Sequence, residues 1–156
     1  MDNKDFLSKA IELAVDNVAN NGGPFGAIIV NKDGKIVGRG QNRVTDTYDP
    51  TAHAEVQAIR EACQQLQTFQ LTDCTLYTSC EPCPMCLGAI YWARLNKVYY
   101  AADQQLAAAG GFDDAFIYEE ISKQHEARNI PFIALQLDNR NAPFEKWIEH
   151  DEKVKY

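Results

Sequence analysis

Cys74-Thr75-Leu76-Tyr77-Thr78-Ser79-Cys80-Glu81-Pro82-Cys83-Pro84-Met85-Cys86 changes structural period partway along its length. Residues 74–79 predict a strand, rich in threonine, aromatic and apolar side chains. Pro82 and Pro84 then open a helix, because the first helical turn leaves N–H groups unpaired and loses nothing to proline. Met85, Leu87, Ile90 and Trp92 carry that helix to about Ala93, and Lys97 to Ala102 returns as a strand.

Outward from this unit the same alternation continues. Upstream, Asp49-Pro50-Thr51 opens a helix over roughly 50–66, with Asp49 or Thr51 as its cap and Val56, Ile59, Cys63 and Leu66 as its buried stripe. Before it, Phe25 to Asn31 and Lys35 to Asn42 flank the turn Lys32-Asp33-Gly34 as a hairpin. Residues 5–20 place Leu7, Ile11, Ala14 and Val18 at helical spacing, and Asn21-Gly22-Gly23-Pro24 ends that helix. Downstream, 113–122 and 143–153 are expected as helices and Pro131 to Leu137 as a fifth strand. Strands that alternate with helices after a hairpin imply parallel pairing with helices on both faces. The expected fold is a three-layer α/β/α domain around a five-stranded mixed sheet, one domain over residues 1–156.

Composition narrows the function classes. Fifteen basic and 22 acidic side chains give a formal net charge of −7. That balance argues against a nucleic acid as partner, since its binders need a basic patch. The stretch Arg140 to Tyr156 is neutral, with four basic and four acidic side chains. A small, nearly neutral substrate suits this surface better. No apolar run reaches the roughly 20 residues of a membrane span, and Met1-Asp2-Asn3-Lys4-Asp5 shows no secretory pattern, so a cytoplasmic location is expected. Three of the five cysteines fall within Cys80 to Cys86, which favours metal binding over a disulfide framework in a reducing compartment.

His53-Ala54-Glu55 and Pro82-Cys83-Pro84-Met85-Cys86 each stand at an expected helix start. In an open α/β sheet such positions lie near one edge, so the two clusters can meet. Imidazole nitrogen and thiolate are zinc ligands, and three of them leave a fourth position open, the arrangement of a catalytic zinc. Cys83 and Cys86 share a helix face and sit where the macrodipole favours thiolates. His53 is the third ligand. Glu55, not needed as a ligand, is the proton carrier. His-x-Glu followed by Pro-Cys-x-x-Cys is the pattern of zinc deaminases. Cys80 also forms a Cys-x-x-Cys with Cys83. A redox reading of that pair leaves His53 and Glu55 unexplained, and Cys80 is placed at the strand end beside the site. A purely structural zinc module is the non-catalytic alternative, with Cys80 as its one available fourth ligand.

The sequence resembles the cytidine-deaminase-like superfamily along nearly its whole length, and the expected sheet agrees with that family's fold. Asp49 to Glu55 and Pro82 to Ala89 look like the branch holding guanine, cytosine and tRNA adenosine deaminases. Ile90-Tyr91-Trp92-Ala93-Arg94, Gly111-Phe112-Asp113-Asp114-Ala115-Phe116-Ile117-Tyr118 and Tyr156 resemble bacterial guanine deaminases. The resemblance implies one zinc ion per chain and hydrolysis of guanine to xanthine and ammonia, with a tRNA adenosine or another base deaminase as the alternative. It also implies that Asn42 binds the purine edge, that Asp114 accepts from guanine N–H groups and helps move protons, and that Phe25, Trp92 and Tyr156 wall the pocket. Each has a plainer role open to it: core packing for Phe25, a helix anchor for Trp92, a turn for Asn42, fraying for Tyr156. The resemblance further implies a homodimer whose C-terminal segment reaches the partner's active site.

Overall fold

The structure, a computed structural model, describes residues 1–156. It divides into two compact units, Met1–Ala115 and Phe116–Tyr156. The first contains α1 (Asn3–Ala19), β1 (Gly26–Val30), β2 (Ile36–Gln41), the single turn α2 (Val44–Thr47), α3 (Ala54–Leu66), β3 (Thr75–Cys80), α4 (Pro84–Trp92), β4 (Lys97–Ala102) and α5 (Gln104–Ala109). Beyond it run α6 (Ala115–Ser122), which starts at the boundary, a short 3-10 turn (His125–Ala127) and α7 (Ala142–Glu149).

The sheet is mixed and has the order β2-β1-β3-β4. β1 is antiparallel to both β2 and β3, while β3 and β4 are parallel. Strand alternation sorts the side chains onto two faces. Ala27, Ile29 and Leu76 pack with α3 and α4, whereas Ile28, Val30 and Tyr77 pack with Phe6 of α1. The chain therefore has helices on both sides of the sheet, as expected.

α3 turns a different face to the sheet from the one expected. Its buried residues are Ala54, Glu55, Ala58 and Ala62, and Leu66 is exposed. The reason is close approach. A Cβ on Gly40 of β2 would lie 1.9 Å from the Ala54 carbonyl oxygen, and one on Gly38 would lie 2.4 Å from that of Ala58. Glycines on the strand and alanines on the helix bring the two backbones together, and the bulkier Ile59 and Cys63 fill the flank. α3 also begins later than expected. Asp49 and Thr51 form a turn ahead of it, with the Thr51 N–H and hydroxyl both donating to Asp49 Oδ1, and His53 takes the cap position.

The sheet has four strands, not the expected five. Residues 131–137 form no strand. A strand exists through its ladder of partners. Here the Phe132 N–H donates to the His125 carbonyl in a turn, and the sheet ends at β4. The expected helix at 143–153 likewise stops at Glu149. The second unit is organised around Arg128. Its guanidinium donates to the carbonyls of Glu120 and Ile121 at the end of α6, where positive charge is favoured, and covers the Phe132 ring at 4.9 Å.

Candidate active site

Two helix starts build the site. The loop before α3 is held by the Arg43 N–H, which donates to the Ala52 carbonyl at 2.9 Å, and by the Asp49–Thr51 turn. His53 caps α3 with extended backbone (φ −70°, ψ 156°). Residues two apart on a regular helix point apart; leaving the helix at His53 lets its side chain and that of Glu55 serve one site. The loop before α4 is fixed by the Glu81 N–H, which donates to Ala102 at the end of β4 at 2.7 Å. Cys83 then caps α4, Pro84 fills its first position, and the Cys86 N–H points back at Cys83 Sγ at 3.5 Å.

His53 Nδ1 lies 3.5 Å from both Cys83 Sγ and Cys86 Sγ. All three donor atoms fall within 4.8 Å of one another. Zinc bonds of about 2.3 Å to sulfur and 2.0–2.1 Å to nitrogen at tetrahedral angles put such atoms about 3.6 Å apart, so the donor set matches zinc in type and spacing. Cys83 is pushed down to about 4, first by the thiol of Cys86 and then by the His53 imidazole and the Cys86 N–H. His53 is raised, chiefly by its hydrogen bond to Cys83. Cys86, fully buried, is raised by sharing its proton with Cys83 and by burial. A divalent cation held by this trio would bind both sulfurs as thiolates.

Glu55 is 5% exposed. Burial raises its carboxyl above the usual range. Thr78 of β3 donates to Glu55 Oε1 at 2.9 Å, and Glu55 Oε2 lies 3.4 Å from Cys86 Sγ. One carboxylate oxygen is thereby anchored while the other faces the metal donors. Cys80 stands at the end of β3 outside the donor trio. Burial pushes its thiol up to about 11.

The remaining expected residues fall into two groups. Near the site, Asp114 is half-buried, and its carboxyl is raised by burial first and then by the charge of Cys83. Phe25 and Asn42 lie side by side after the Gly22-Gly23 loop and at the end of β2, joined by the Asn42 N–H donating to the Phe25 carbonyl at 3.2 Å. Trp92 is not gathered with them. It stands at the far end of α4 from Cys83, about 13 Å along the axis, 64% exposed and with the Arg94 guanidinium over its ring at 5.8 Å. Tyr156 belongs to the second unit and is exposed. Asp113 accepts from the Ala115 N–H at 2.9 Å at the start of α6.

Three residues of this region were not singled out from the sequence: Thr78, Phe112, whose ring meets Phe25 edge-on at 5.0 Å, and Asn17, whose amide donates to the Gly23 and Asn42 carbonyls. Thr78 carried a signal, since strand alternation puts it on the same face as Cys80 and the core residue Leu76. Phe112 carried none beyond its place in the Gly111-to-Tyr118 run.

Residues 1–102 match the family described as the cytidine and deoxycytidylate deaminase zinc-binding region. The guanine deaminase of Bacillus subtilis (strain 168) is 57% identical over 157 residues, covering 100% of both chains. The X-ray structure of guanine deaminase from Bacillus subtilis superposes with a TM-score of 0.98 at 55% identity, covering 100% of this chain and 99% of that one. The tRNA-specific adenosine deaminase of Aquifex aeolicus (strain VF5) is 44% identical over 97 residues, which span 62% of this chain and 64% of that protein. With this match and a zinc-type donor trio at two helix starts, the chain belongs to the cytidine and deoxycytidylate deaminase zinc-binding family.

Proposed function

We propose that this chain is a zinc-dependent aminohydrolase that converts guanine and water to xanthine and ammonia. The observation that carries the choice of base is the full-length likeness to a guanine deaminase, at 57% identity over 100% of both chains. The likeness to the tRNA-specific enzyme stops at 62% of the chain, and the net charge of −7 argues against an RNA partner.

His53, Cys83 and Cys86 hold the metal. Zinc, when bound there, supplies an acidified water as nucleophile for C2 of the purine. Glu55 moves the proton. Its Oε2 takes the first proton that water gives up and delivers it to ring nitrogen N3, then takes the second from the new C2 hydroxyl and delivers it to the amino group, which leaves as ammonia while C2 becomes a carbonyl. Burial suits it to this work, because a carboxyl raised toward neutrality both accepts and returns a proton readily. The Thr78 hydroxyl keeps Oε1 from turning away. Asn42 offers its amide to the purine edge, and Asp114 accepts from guanine N–H groups and assists proton movement. Phe25 walls one side of the ring.

Trp92 and Tyr156 complete the pocket in a homodimer, where the C-terminal segment of one copy reaches the active site of the other. Leu135, Ile133, Phe132 and Ile148, all more than half exposed in the single chain, support a partner that covers them. The whole chain works as one deaminase domain, in the cytoplasm, where thiols such as the five free cysteines stay reduced, and in purine breakdown.

Incubation of zinc-loaded protein with guanine should yield xanthine and ammonia. Glu55→Ala should keep its zinc and lose activity by about 10²–10⁴-fold. A zinc-replete protein that leaves guanine untouched overturns the reading.

A further inference from the structure

Asn17 lies on the last full turn of α1, in an element that the proposed chemistry does not otherwise use. It is 1% exposed and among the largest fully buried polar side chains. Its Nδ2 donates twice, to the Gly23 carbonyl at 2.8 Å and to the Asn42 carbonyl at 2.9 Å. Both acceptors lead directly to Phe25. The Phe25 N–H donates to Gly23 at 2.9 Å, and the Asn42 N–H donates to Phe25 at 3.2 Å. Asn17, Gly23, Phe25 and Asn42 thus form a closed ring of hydrogen bonds. The side chain of Asn42 is held as well, its Oδ1 accepting from the Val44 N–H at 3.2 Å.

The surroundings are shaped to the Asn17 amide. A Cβ on Gly22 would lie 2.4 Å from Asn17 Nδ2, so only glycine lets the loop close over it. A Cβ on Gly23 would lie 3.0 Å from Asn42 Cγ. Ending α1 does not require the Asn17 side chain, because the Asn20 N–H already bonds the carbonyls of Asp16 and Asn17. A buried amide that makes both of its directed bonds rigidifies the segments it joins.

We propose that Asn17 is a positioning residue for purine recognition, holding Phe25 and Asn42 at the spacing that lets a ring face and an amide engage the same flat base. This rests on the reading of Phe25 and Asn42 as purine-binding residues. Two groups from different loops bind one rigid ligand well only when their separation is set beforehand. Asn17 touches neither the metal donors nor Glu55, so its loss acts on binding and leaves the chemical step.

The test uses the zinc-loaded enzyme, with Asn17→Ala, Asn17→Asp, Asn42→Ala and Asn17→Ala/Asn42→Ala. Aspartate keeps the shape of asparagine but presents only acceptors to two carbonyl oxygens, which gives a second variant if alanine folds poorly. Zinc content and melting temperature accompany KM and kcat for guanine. Binding of hypoxanthine, a 6-oxopurine with no 2-amino group to lose, is followed by equilibrium dialysis. The expected result for both Asn17 variants is full zinc, KM and the hypoxanthine Kd raised about tenfold, and kcat within about twofold. In the Asn42→Ala background the further rise in KM should fall below about threefold, because the two residues act in series. If Asn42→Ala raises KM but the Asn17 variants do not, or if the two effects simply multiply, Asn17 is only structural and the reading of Asn42 stands. If Asn42→Ala leaves KM unchanged, that reading fails and takes the role of Asn17 with it.

Discussion

At the scale of single residues, the site divides by how far each contribution depends on tertiary register. His53, Cys83 and Cys86 could be read directly as a metal-donor set, since donor type and spacing already point to it, and Glu55 was placed beside them by its position two residues from His53. Thr78 could not, because its meaning lies in which glutamate it faces. Its hydroxyl donates to Glu55 Oε1 at 2.9 Å and favours the ionised carboxylate, which opposes the upward push of burial. Thr78→Val removes that donor. The Glu55 carboxyl then rises further, so its proton-accepting form is lost at a higher pH. The acidic limb of the kcat/KM profile should move upward, with activity on that limb reduced about three- to tenfold and the plateau changed less. Stopped xanthine assays across pH with matched zinc content check this; a limb that stays in place means that Thr78 does not tune Glu55.

At the scale of elements, the strands and the three longer helices of the first unit followed from period and turn chemistry, but the short α2 and α5 and the seating of α3 did not. Hydrophobic patterning favours large side chains, so it selected Val56, Ile59, Cys63 and Leu66. The face that meets the sheet is instead Ala54, Ala58 and Ala62, and its partner is a pair of glycines on β2. Small residues read as neutral in a sequence, and their matching surfaces are remote along the chain. Their importance is mechanical, because the Gly40–Ala54 contact adjoins His53 and Glu55. Gly40→Ala places a methyl against a backbone oxygen that has no rotamer by which to yield. Stability should fall by about 1–3 kcal/mol from overpacking, and the forced shift of the α3 start should also lower zinc occupancy. A surface glycine such as Gly34, whose added Cβ meets nothing within 4 Å, provides the control, although its φ of +77° adds a backbone cost. Calorimetry with zinc analysis separates the two: Gly34→Ala should lose stability and keep its metal, while Gly40→Ala should lose both. Full zinc in Gly40→Ala would show that the helix start is held by its loop and not by β2.

At the scale of the whole molecule, the expected fifth strand fails for a reason that bears on assembly. Residues 131–137 have the apolar content of a buried strand, yet Leu135 is 77% and Ile133 71% exposed, and the sheet stops at β4. Patterning reports that a segment seeks cover; it does not report which chain provides it. A C2 pair of copies, the commonest oligomer, would cover both segments at once by a self-complementary interface. If, as proposed, the C-terminal segment of one copy serves the partner's site, then Tyr156→Ala damages the site that holds the other chain's Glu55. Each of Glu55→Ala and Tyr156→Ala should be impaired alone. When the two are co-refolded in equal amounts, half of the dimers are hybrids, and each hybrid has one site with an intact glutamate and an intact tyrosine. Activity should recover to about a quarter of that of the unsubstituted protein. A tyrosine that serves its own chain gives no recovery, since every site then lacks one of the two groups. Sedimentation of the same mixture reports the dimer separately, so absent recovery in a dimeric sample overturns the exchange of the tail and leaves the dimer standing.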